Sequence, residues 1–68
     1  MRQWQMDDAD GFDFLASQDE AIACAITASL ALFPESHRGL QLERSHILMN
    51  EAQWCRERAK ALRQTNAA

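Results

Sequence analysis

Turn-forming residues and cysteines are scarce in this 68-residue chain: two glycines (Gly11 and Gly39), one proline (Pro34), two cysteines (Cys24 and Cys55) and no tyrosine. Two isolated glycines leave no material for a glycine-rich phosphate loop. Two cysteines are too few for a disulfide scaffold, so both read as free thiols packed like small apolar side chains, in a reducing compartment. No apolar run reaches the 18 to 20 or so residues that span a bilayer. The longest such stretch is residues 21–33, where only Thr27 and Ser29 are polar. It has no basic flanks of the kind an interfacial helix carries. Residues 1–11 hold one arginine and three aspartates with no apolar centre, so a signal peptide is not expected. A cytoplasmic protein is.

Excess positive charge is lacking as well. The net charge is −3 and the pI about 5.1, far from a nucleic-acid-binding footprint. The charge is divided along the chain: residues 1–35 carry seven acids against Arg2, a net of −6, and residues 36–68 carry six bases against three acids, a net of +3. Opposite halves favour an antiparallel helical hairpin, or two chains packed antiparallel.

What is present is helical. The chain divides into an N-terminal arm (residues 1–16) and a helical hairpin (17–68). In the arm, Trp4 and Met6, then Phe12 and Phe14, are spaced two apart around an acidic turn. That spacing allows a short β-hairpin or an extended arm laid over the helices, with an early helix start near Phe12 as a further option. Ser17-Gln18-Asp19-Glu20 has the form of a capping box, which predicts a helix over about 18–33, ended by Pro34. Its Ile22, Ile26, Leu30 and Phe33 make one stripe, and Ala21, Ala25, Ala28 and Leu32 the next. A second helix is predicted over about 40–64 after a connector broken at Gly39. Leu48, Ala52, Cys55, Ala59 and Leu62 alternate at four and three residues and form its seam, widened by Ile47, Met49, Trp54 and Ala61, with Trp54 expected in the core.

A helix that is apolar all round is normally buried, and a chain of this size buries only about 60% of its unfolded surface. Doubling the hairpin into a dimeric four-helix bundle, or a larger helical oligomer, is therefore expected. Self-association would run through Ile22, Ile26, Leu30, Phe33, Leu48, Cys55 and Leu62.

Reactive chemistry is sparse. Glu43 and His46 have the Glu-x-x-His spacing of di-iron bundles but share a solvated face with Asn50, Gln53 and Glu57. Asp8, Asp10 and Gly11 resemble part of a calcium loop, with Met6 and Ser17 standing where two essential ligands belong. Cys24, His37, His46 and Cys55 lack the short paired spacings of zinc sites. Ser36 and His37 are neighbours on a loop without an orienting third group. No catalytic residue, metal or cofactor is expected.

The function expected is that of a small non-enzymatic regulator or inhibitor that binds itself and another protein, a type of protein that phages and mobile elements often encode. Partner contacts would come from Trp4, Met6, Phe12 and Phe14 and from the basic stripe Arg56, Lys60 and Arg63. Two alternatives remain: an oligomer that sequesters a small anionic ligand such as a nucleotide through His37, Arg38 and Arg44, and a nucleic-acid binder that uses the basic stripe.

Overall fold

The computed structural model describes residues 8–67. They form helix α1 (Asp8–Ala28), a 3-10 turn (Leu30–Leu32) and helix α2 (Glu35–Ala67), with α1 and α2 packed antiparallel along their lengths. The chain is thus an all-α two-helix hairpin, with no strand among the described residues. The 33 residues of α2 make a rod of about 50 Å, which sets the longest dimension of the molecule. The extents are 50 × 28 × 13 Å, a slab one helix thick.

Three boundaries differ from those expected. Residues 8–16 are the opening turns of α1, neither an extended arm nor a β-hairpin. Ala9, Phe12 and Ala16, at spacings of three and four, supply a helical seam that outweighs the two-residue spacing of Phe12 and Phe14. Asp8 and Asp10 lie in the first turn, where acids complement the positive helix end. Ser17-Gln18-Asp19-Glu20 is therefore mid-helix and caps nothing. Trp4 and Met6 lie outside the described residues.

The α geometry of α1 ends at Ala28, before Phe33. The Ser29 hydroxyl donates to the Ala25 carbonyl at 2.7 Å, a local bond that competes with helix continuation. The chain then tightens, with Leu32 N–H on the Ser29 carbonyl at 2.9 Å and Phe33 N–H on the Leu30 carbonyl at 3.1 Å. Phe33 is extended (φ −84°, ψ 149°), as the residue before a proline should be.

Helix α2 starts at Glu35, earlier than expected, and runs through Gly39. Arg38 secures this early start. Its Nε donates to the Phe33 carbonyl at 3.1 Å and its Nη2 to the Ala31 carbonyl at 3.3 Å.

The core is a seam of small side chains. On α1 it runs Ala9, Phe12, Ala16, Asp19, Ala23, Ile26; on α2 it runs Ser45, Leu48, Ala52, Cys55, Ala59, Leu62. Both keep a strict three-four alternation, the spacing of a coiled coil. The antiparallel register is fixed by Ser45, which contacts the Thr27 hydroxyl and the Ala23 carbonyl, and by Arg56 beside Glu20. It sets Ala9 against Leu62, Phe12 against Ala59, Ala16 against Cys55, Asp19 against Ala52, Ala23 against Leu48, and Ile26 against Ser45. Nearly every layer opposes a larger side chain to a small one, so the backbones come close and no large side chain is fully buried.

The seam on α2 is the one expected, with Ser45 added. On α1 it is not, because a helix that begins at Asp8 presents a different face. Ile22 is exposed rather than packed, and Ala21, Ala25, Ala28 and Leu32 also point outward. Only Ile26 of the expected stripe is buried; Leu30 and Phe33 are half-buried near the turn. Trp54, expected in the core, is exposed, because closely approaching helices leave no room for an indole between them.

Candidate association surface

A slab of two helices has two broad faces, and here they differ in kind. On the back face, the seam-flanking residues Asp10, Asp13 and Glu20 of α1 meet Arg56 and Arg63 of α2. Arg56 grips Glu20 with two nitrogens, Nη2 to Oε1 at 2.6 Å and Nε to Oε2 at 2.9 Å, and approaches Asp13 at 3.6 Å. Arg63 pairs with Asp13 at 2.7 Å and Asp10 at 2.9 Å. The Arg56 hydrogen bond and charge hold the Glu20 carboxyl below its usual range. Two of the three bases in the expected stripe are thus committed within the chain. Lys60 is exposed on the same side.

The front face is apolar. Leu15 and Ile22, one heptad apart on α1, are 48% and 47% exposed; Ile47 and Trp54, one heptad apart on α2, are 60% and 59% exposed. Trp54 is anchored at one edge by Phe12, with ring centroids 5.6 Å apart and planes at 78°, an edge-to-face contact. Leu40, exposed as well, continues the α2 row toward the turn. Beside this row run Arg44, Glu51 and Arg58, again one heptad apart. None has an oppositely charged partner among the described residues. Toward the helix termini, Asp8, Gly11, Phe12, Phe14, Leu15, Arg58 and Leu62 line a shallow recess, so an acid of α1 shares it with Arg58.

At the centre of the front face stand two carboxyl groups. Asp19 is only 9% exposed, within the alanine seam, and its Oδ2 has no hydrogen-bond partner among the described residues. Glu51 lies against it. The hydrogen bond to Asp19, then its negative charge and partial desolvation, raise the Glu51 carboxyl above its ordinary range. Leu15 and Ile22 stand four before and three after Asp19; Ile47 and Trp54 stand four before and three after Glu51. Four exposed apolar side chains therefore frame an acidic pair that no cation among the described residues neutralises. The alternation of Ile47, Glu51 and Trp54 was visible in the sequence. Asp19 was missed because a helix start near residue 18 turns it outward.

The remaining candidate residues are dispersed. Cys55 is buried at the seam, and burial, followed by the charges of Glu51 and Asp19, raises its thiol above its ordinary range. Cys24 is exposed on the opposite face, in a small recess with Thr27, Ala28, Ser45 and Met49. Arg38 is occupied at the turn, Arg44 donates to Gln41 at 3.2 Å, and His37 is exposed; the structure builds no anion cradle from the three. Phe14 is exposed on the outer edge of α1. Among the described residues no three histidine, cysteine or acidic side chains converge as a metal site, and no helix is long and apolar enough to cross a membrane. Comparison with known proteins yields no matching family model, curated protein or solved structure.

Proposed function

We propose that this chain is a small non-enzymatic regulator or inhibitor that acts in the cytoplasm by protein–protein association, with the front face as its contact surface. One observation carries the reading: Leu15, Ile22, Ile47 and Trp54, all exposed, stand on either side of Asp19 and Glu51 on one face. Contiguous apolar patches rimmed by polar groups mark association surfaces, and a tryptophan at such a place is a common energetic anchor. Fully desolvating each of these side chains is worth about 1.5–3 kcal/mol, a large share for a domain this small. The engaged state of Arg56 and Arg63 argues against nucleic acid, whose phosphates would have to displace internal carboxylates.

Site-specific photo-crosslinking in expressing cells tests the reading. A photoreactive residue at Ile47 should give discrete protein adducts, and one at Gln53, on the far side of α2, should give few. Equal yields from both positions, or none from Ile47, would remove the basis for assigning the front face.

A further inference from the structure

We infer that the occupant of the front face is a second copy of this chain, laid antiparallel so that Arg58 of each copy meets the Glu51 and Asp19 carboxyl pair of the other. The inference rests on reading that face as a protein-contact surface and names its partner.

Four observations lead there. First, the hairpin is a single layer, whereas stable domains stack two layers around a core. Its Cα radius of gyration is 15.8 Å, where a compact domain of this length has about 11 Å. The accessible area is 5174 Å², against about 4,300 Å² for a compact monomer of this mass. The excess matches the roughly 800 Å² per partner that a specific interface takes up.

Second, the charges are self-complementary. Arg44, Glu51 and Arg58 alternate in sign one heptad apart along the front of α2. A two-fold axis crossing α2 at residues 54 and 55 brings Arg58 opposite the partner's Glu51, and Glu51 opposite the partner's Arg58. In an isologous contact residue i of one copy meets j of the other and j meets i, so the Glu51 and Arg58 of one row satisfy both copies.

Third, the same axis matches shapes. It sets Trp54 beside its own symmetry mate, Ile47 against Ala61, and Ile22 against Gly11. A glycine within a helix is destabilising relative to alanine. Beyond its chain neighbours and its own helix backbone, no described atom lies within 4 Å of a Cβ built at Gly11, so packing among the described residues gives no reason for it. The partner's Ile22 seated in the recess beside Gly11 does.

Fourth, the buried Oδ2 of Asp19 lacks a partner among the described residues, and a guanidinium donates well to two adjacent carboxyl groups. Among the described residues the acidic pair has no cation; the second copy supplies one.

Sedimentation equilibrium over a dilution series, with circular dichroism on each sample, tests this on the full chain. Wild type should approach twice 7.7 kDa and dissociate on dilution. Arg58→Glu and Glu51→Arg should each weaken self-association at least about tenfold while leaving helicity intact. The two together in one chain should restore most of it, because the swapped charges meet again across the axis. Gly11→Ala gives an independent reading: it should raise the melting temperature of dilute monomer and weaken the dimer.

Wild type that stays monomeric to about 1 mM, a dimer indifferent to both charge reversals, or a Gly11→Ala dimer as tight as wild type would each overturn the inference. Crosslinking of Ile47 to a different protein, with purified chain monomeric, would overturn it and leave the association reading standing. Failure of both experiments would remove both.

Discussion

The back and front faces of this hairpin arise from the same two helices and the same three-four seam, yet one is closed within the chain and the other is open. On the back, both helices put charge beside the seam, acidic on α1 and basic on α2, and Arg56 and Arg63 reach across to Glu20, Asp13 and Asp10. On the front, α1 offers Asp8, Leu15 and Ile22 while α2 offers Arg44, Glu51 and Arg58, so apart from Asp8 in the recess with Arg58 the charged row meets apolar side chains among the described residues. The division of charge between the two halves of the sequence is therefore spent on one side only. A chain that answers its own charges on one face and leaves apolar frames on the other is polarised for association.

The largest effect should come from the seam that both faces share. Ala16→Leu sets a large side chain against Cys55 where the backbones approach closely, and overpacking of this kind costs about 1–3 kcal/mol. Thermal melts should show a clear loss of stability; an unchanged melting temperature would mean that the helices are not held close there. Next is Asp19→Leu, which replaces a buried, half-satisfied carboxyl with an apolar side chain facing Ala52. Relief of an unpaired buried polar atom should gain about 1–3 kcal/mol in the monomer.

That substitution should also alter the pH dependence, with a definite sign. The Glu51 carboxyl is raised in the folded chain, so folding retains its proton to higher pH than the unfolded chain does. Stability from this pair is fullest below the ordinary carboxylate range and is lost as pH rises through the folded value. Glu20 is lowered, so its contribution is present above the ordinary range and is lost as pH falls through the folded value. Melts from about pH 2.5 to about pH 8 should keep the Glu20 slope and lose the Glu51 slope in Asp19→Leu. The smallest effect belongs to Arg56→Gln on the back face. Its ion pairs are exposed and screened, so a small loss that shrinks with added salt is expected. A large, salt-independent loss would mean that the back face is held by more than surface charge.

The legible part of this fold was whatever local pattern dictated. The α2 seam was readable because Leu48, Ala52, Cys55, Ala59 and Leu62 alternate cleanly amid polar residues. The break between the helices was readable from Pro34, although α1 itself ends at Ala28, ahead of the end expected at Phe33. On α1 the apolar residues are too many to single out a face, so periodicity could not choose between Ile22 and Ala23 as the buried position. The capping-box pattern at Ser17 then placed the helix start about ten residues late. The front face was illegible for the same reason. Trp54 and Ile22 look like core in a sequence, and only the close approach allowed by Ala16, Ala23, Ala52 and Ala59 sends them outside. The acidic pair depends on a contact between residues 19 and 51, which no local pattern encodes.

Hydroxyl-radical footprinting of the whole chain at high and low concentration tests the difference between the faces most directly. The account predicts that Leu15, Ile22, Ile47 and Trp54 become protected together as concentration rises, while Met49 and Cys24 on the back keep the reactivity they show in dilute solution. Protection confined to the back, or spread equally over both faces, would contradict it.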